Sequence, residues 1–196
     1  MDEDQLYMEN LKVDDVPWHR LTTAYGRAAD FPIYFKQLWD MTDEEAVSEA
    51  LEAVTGSIEH QSTLWHAAPF AMIFLVRIFE RAVSEMETSE VAAFAVEQLV
   101  DFFGVMAECF REGDAMEHAE QLPHFSDLLK ENYLWSEEYD EEEDEMRYEE
   151  DVVFPDDLFY SFYYYSYQAL LLVKPILKRM ENGPFGDKAS ELEELL

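Results

Sequence analysis

The chain has 196 residues, 48% of them hydrophobic and 15% aromatic, with 45 acids against 13 bases and a formal net charge of −32. That length and apolar content suit one globular domain with a sizeable core and exclude an intrinsically disordered chain. The single cysteine, Cys109, excludes an intramolecular disulfide and suits a reducing, cytoplasmic setting.

The acidic opening MDEDQLYMEN has no apolar run behind it, so neither a secretory signal nor an Arg-rich transit peptide is expected. The longest apolar stretch, Ala67 to Phe79, carries Pro69 and Arg77 and is too short to span a bilayer. Residues 136–151, SEEYDEEEDEMRYEED, hold eleven acids and one arginine; without them the rest still carries −22. Such a field repels phosphate backbones and anionic lipid heads and speeds encounter with basic proteins. The expectation is a basic protein partner, with no direct nucleic-acid binding and no membrane association. Solubility or a high-salt habitat is the plainer explanation of the same charge.

Apolar residues recur at spacings of three and four, the helical period. Asp30 before Phe31 and Pro32 reads as an N-cap with proline in the first turn, opening a helix to about Met41. Its expected core residues are Ile33, Phe35, Leu38 and Trp39. Thr42 and Glu45 have capping-box spacing, and Ala46, Val47, Ala50, Leu51, Val54 and Ile58 then form one stripe. From Ala67 to Ala82 the pattern is apolar nearly all round, which predicts a central, covered helix. A third long helix opens at Ser89, aligns Val91, Ala95, Leu99, Phe102, Met106 and Cys109, and closes at Gly113 and Asp114. Cys109 itself reads as a buried small apolar residue.

Short helical pieces are expected over 115–120 and 123–132, then a loop or frayed helix through the acidic run. The last long helix begins at Pro155, with Asp156 and Asp157 favouring its dipole and a kink at Lys174-Pro175. Lys178 and Arg179 suit its C-terminal end, and a final ASELEELL segment closes the chain. The sum is an all-α protein of about six to eight helices, whose lengths and order suit two-helix repeats.

Two motifs strengthen that reading. Trp18, Leu21, Ala24-Tyr25-Gly26, Ala28, Asp30 and Pro32 form one; Ile58, His60-Gln61, Thr63, Ala67, Ala71, Phe74 and Leu75 form the other. Over about residues 17–80 the chain resembles small bacterial HEAT-like helical-repeat proteins, mostly of unassigned function. Trp65 and Ile73 depart from the pattern, standing in place of a tyrosine and a proline. The resemblance implies a right-handed α-α superhelix, a HEAT/armadillo-like solenoid, and it implies no reaction.

The polar cluster GSIEHQST falls where one helix ends and the next begins. Thr63 is expected to cap the following turn, while His60 and Gln61 tie the preceding carbonyls. The competing reading is a metal site from Glu59, His60 and His66, or from His118, Glu120 and His124. Neither six-residue spacing is a metal pattern, so no metal or other cofactor is expected. No Gly-rich phosphate loop, GxSxG elbow or EF-hand alternation is present, and Gly26-Arg27 reads as a lone turn. The aromatic run Phe159 to Tyr167 is expected to serve the core, with a binding surface as the alternative.

The favoured function is an acidic protein-binding module that captures a basic protein, for instance an immunity protein or inhibitor of a cationic toxin or nuclease. DNA mimicry by surface carboxylates is a special case of it. The expected contacts are Tyr133, Trp135 and Tyr139 for burial, with Glu137, Glu138, Asp140, Glu141, Glu142, Glu143, Asp144 and Glu145 for charge. The alternative is a structural or assembly scaffold whose charge serves solubility only. An enzyme with a histidine–carboxylate or metal centre ranks below both, so no catalytic residue is assigned.

Overall fold

A computed structural model describes residues 3–113, 119–144 and 155–196. Eight α-helices lie among them: α1 Glu3–Asn10, α2 Phe31–Asp40, α3 Glu44–Ile58, α4 Ala68–Glu85, α5 Glu90–Gly113, α6 Asp156–Leu170, α7 Lys174–Met180 and α8 Gly186–Leu195. Two antiparallel hairpins, each with two-residue strands, interrupt them. In the first, β1 Thr22–Thr23 pairs with β2 Gly26–Arg27; in the second, β3 Glu59–His60 pairs with β4 Thr63–Leu64. The helical class is as expected. Asp114, the bulk of the 115–120 segment, His118 and residues 145–151 lie outside the described residues. In place of the one helix expected over 123–132 stand two short 3-10 turns, Phe125–Leu129 and Glu131–Tyr133.

Helix α4 is central. Every residue from Ala68 to Val76 is buried, and α2, α5 and α6 pack around it. Its closest packing is against α6, far away in sequence. In a solenoid each unit touches mainly its sequence neighbours, so this long-range contact does not by itself establish a superhelix. Aromatic rings fill the joints. Phe70 meets Phe125 at 5.0 Å, Phe79 meets Phe103 at 5.3 Å, and Trp18 contacts Phe31, Phe35 and Phe74 at 5.3–5.8 Å.

Three local expectations are corrected. Helix α2 buries Phe31, Phe35 and Leu38, leaving Ile33 58% and Trp39 45% exposed. At about 100° per residue Ile33 points away from the Phe31–Phe35–Leu38 face and Trp39 lies at its edge. The cap of α3 is Asp43, whose Oδ1 accepts the Ala46 N–H at 2.9 Å, so Thr42 makes no capping box. Asp30 supplies no side-chain cap, and Pro32 alone marks the start of α2.

Other readings hold. Ser89 Oγ accepts the Ala92 N–H at 3.2 Å at the start of α5, and Cys109 is buried. Pro175 cannot donate to the preceding turn; a 3-10 turn, Leu171–Val173, separates α6 from α7 there. Every residue from Phe159 to Tyr167 is buried or half-buried. The hydroxyls of Tyr163, Tyr165 and Tyr167 donate to main-chain oxygens of Ser62, Leu122 and Leu196, at 2.6–3.0 Å. The final segment docks through buried Ala189 and Leu192, and Lys188 reaches Glu97 and Asp101 on α5.

The α7–α8 joint is tight. A β-carbon on Gly186 would lie 2.5 Å from the Glu181 carbonyl oxygen. Gly186→Ala is therefore expected to lower stability by roughly 1 to 3 kcal/mol, the usual cost of overpacking. Thermal unfolding of the two proteins at matched concentration checks this, and an unchanged midpoint would show that the joint yields freely.

Candidate functional site

The acidic segment is tied down from the N-terminal side. The 3-10 turn Trp18–Arg20 buries Trp18, whose indole N–H donates to the Val13 carbonyl at 2.9 Å. With Trp18 anchored, His19 and Arg20 face residues 131–137. Arg20 forks onto Glu131 and donates through Nε to the Trp135 carbonyl at 2.6 Å. The Trp135 N–H returns a bond to the Arg20 carbonyl at 3.1 Å. The Glu131 hydrogen bond, above all, holds the Arg20 guanidinium above its ordinary pKa.

Arg27, at the end of β2, is the deeper tie. Nε and Nη2 donate to the two oxygens of Asp144 at 2.8 and 2.7 Å, and both side chains are under 10% exposed. Nη1 donates to the carbonyls of His19 and Ser136, at 2.8 and 2.7 Å, and Nη2 also reaches Ser136 Oγ at 3.0 Å. The guanidinium carbon lies 5.4 Å from the Trp135 ring and 5.3 Å from the Tyr139 ring. Only a planar, five-donor group can meet a carboxylate, two carbonyls and two ring faces at once; lysine could not. Such a pair specifies one arrangement of the chain, because water no longer screens either charge.

The expected contact residues therefore divide. Trp135 and Asp144, 8% and 4% exposed, are buried against Arg27 and present nothing to a partner. This corrects their place in the expected set: the sequence holds an arginine that reaches them first. Tyr133 is half-buried against the core. Glu137 is exposed but pairs with His19 at 2.9 Å. Asp140 accepts the Glu143 N–H at 3.0 Å and starts a helical turn over 141–144. Glu138, Tyr139, Asp140, Glu141 and Glu142 are exposed, Tyr139 by 68%, and Glu143 is half-buried. Glu145 lies outside the described residues.

Sequence reasoning missed His19, Arg20, Arg27 and Glu131. The available signal was scarcity: with so few bases among so many acids, an arginine is rarely left without carboxylates.

The histidine cluster resolves as hairpin structure. Gln61 and Ser62 take positive φ angles of 51° and 63°, the two-residue turn that matches strand twist. Glu59 accepts the Ser62 N–H at 2.9 Å, and Tyr163 holds the Ser62 carbonyl from above. Thr63 lies in β4 and caps nothing. The two motifs meet here: Tyr25 Oη and His60 Nδ1 are 3.2 Å apart, and the Ala24 N–H donates to the Ser57 carbonyl at 2.8 Å. His66 is fully buried, lies 2.8 Å through Nε2 from the Leu128 carbonyl and stacks on Phe162 at 5.0 Å. Its Nδ1 has no partner, which assigns the proton to Nε2. Exposed His60 and buried His66 do not converge, and among the described residues no three His, Cys, Asp or Glu side chains are placed to hold a metal ion.

Two measurements follow. Arg27→Ala leaves the Asp144 carboxylate buried alone and is expected to cost roughly 3 to 5 kcal/mol. In urea unfolding, the Arg27→Ala/Asp144→Ala pair should recover part of that loss; simple additivity would deny the coupling. Burial lowers the His66 pKa to about 4, so the folded chain refuses a proton that the unfolded chain accepts below about 6.5. The contribution is complete above that higher value and falls by on the order of 3 kcal/mol as pH drops toward 4. The stability gap between wild type and His66→Phe should narrow from about pH 7 to about pH 4.5; parallel profiles would refute it.

No family model matches the chain, and no curated protein or solved structure matches it either, so membership of a HEAT-like family is not shown.

Proposed function

We propose that the chain is an acidic protein-binding module that captures a basic protein, of the kind that an immunity protein or inhibitor makes of a cationic toxin or nuclease. The observation that carries this reading is the state of the 137–142 segment. Its carboxylates face solvent, while Arg20 and Arg27 hold the chain just before it at the Trp135 and Ser136 carbonyls and Arg27 holds it just after at Asp144. Charges held on a fixed backbone lose less entropy on binding than charges on a free loop. Tyr139, exposed on one side and backed by the Arg27 guanidinium, is the aromatic anchor among them. The contacts assigned to the partner are thus Tyr139, Glu137, Glu138, Asp140, Glu141, Glu142 and Glu143. A HEAT-like scaffold is the family form of the same proposal.

The test uses intact protein and a variant with Glu138, Asp140, Glu141 and Glu142 changed to glutamine. Both are offered a lysate of the source organism at low and high salt, and retained proteins are identified by mass. One basic protein, retained stoichiometrically by the intact chain, is the expected result. Its association rate should fall by about tenfold with salt and again in the variant. Retention indifferent to salt and to the four substitutions, or no retention, would leave charge with a solubility role alone.

A further inference from the structure

A cavity of about 520 Å³ opens between α2, α4 and the turn at Val13–Asp15. Val13, Pro32, Phe35, Phe74 and Ile78 line it, and Trp39 stands at its rim. Sites for small molecules are of this size and are apolar with a few placed polar groups. Here those groups are Asp14, Lys36, Asp40 and Arg77. Asp14 is exposed on its turn, and Lys36 pairs with Asp40 one helical turn away.

Arg77 is different. It is half-buried, and its donors go to the carbonyls of Leu11, Met8 and Glu9 at 2.7, 2.8 and 3.1 Å, closing the C-terminal end of α1. Its guanidinium lies 5.2 Å over the Phe74 ring, and no carboxylate pairs with it among the described residues. Burial lowers its pKa, with no acid offsetting the shift. Arg81, 4.7 Å over the Trp39 ring, is paired with Glu85 at 3.1 Å, as Lys36 is with Asp40, so Arg77 is the cation of this wall left without an acid. The net charge of the chain works against anions at long range, but that field is screened within about 10 Å in ordinary salt. At contact distance the unpaired Arg77 decides.

We propose that this cavity binds an anionic amphiphile: a small monocarboxylate with an apolar chain or ring. Its body lies on Phe35, Phe74 and Ile78, and its carboxylate lies beside Arg77. The site shares no residue with the acidic segment and takes a ligand of the opposite sign to the partner proposed there.

Titration calorimetry on the intact chain, with decanoate, decanol and decylamine as probes, tests this. Decanoate is expected to bind at one equivalent and more tightly than either of the others. Its affinity should hold or rise with salt, whereas capture of a basic protein weakens. Lys36→Glu alters only an exposed rim residue and should weaken decanoate by about tenfold while leaving decanol unchanged. Arg77→Met should do the same, but it also frees the end of α1, so the Lys36 variant decides. The proposal is overturned by no saturable decanoate binding below about 1 mM, by decylamine binding better, or by a silent Lys36→Glu. Decanol binding as tightly as decanoate would also overturn it, pointing instead to an uncharged occupant such as an apolar helix face.

Discussion

From Ala68 to Val76, helix α4 has no face that water can touch, and the remaining elements are arranged around that requirement. An apolar helix of this kind is stable only if every side is covered. Helices α2, α5 and α6 supply the cover, and the aromatic rings between them fill volume that smaller side chains would leave empty. Three tyrosines of α6, Tyr163, Tyr165 and Tyr167, show how such a helix stays compatible with polar atoms. Each hydroxyl ends on a main-chain oxygen of a turn or chain end, so burying the ring costs no unpaired donor.

Around this core the scarce cations do a second job. Arg20, Arg27, Arg77, Arg111, Lys174, Arg179 and Lys188 each bond to a segment distant in sequence. Five of them, Arg20, Arg27, Arg77, Arg111 and Lys174, reach main-chain oxygens as well as or instead of side-chain carboxylates. Carbonyls at helix and chain ends are the acceptors that secondary structure leaves unmatched. In a chain of net charge −32, free acids repel one another, and each cation placed between segments removes part of that repulsion where the chain must close. The Arg27–Asp144 pair is the extreme case, because both partners are nearly out of water.

The division within the acidic segment follows from the same economy of cations. Asp144 and Trp135 are drawn inward because Arg27 lies beneath them, whereas Glu138, Glu141 and Glu142 are exposed. The run is therefore not one uniform solvated stretch. One end is structural and its middle faces solvent, and only the middle enters the proposed function. The Val13–Phe35–Phe74 cavity has a related origin: Arg77 is spent on the end of α1, so its charge is left without a carboxylate beside an apolar wall.

Helix positions were legible in the sequence because they depend on local period and on nearby breakers. The stripe Val47–Ala50–Leu51–Val54–Ile58, the Ser89 cap, the break before Pro175 and the all-round burial of α4 were all readable on those grounds. Local reading failed where two neighbours could do the same job. Asp43 took the cap in place of Thr42, and on α2 packing chose Phe31 over Ile33 and Trp39. The histidine cluster became a hairpin because Tyr163, about a hundred residues away, holds its strained turn. By itself the sequence determined the helical class, the central helix and the sign of the surface charge, since these follow from residue type and spacing. Only the tertiary structure decided which acids meet Arg27 and which face water, because pairing across more than a hundred residues depends on how the helices close around α4.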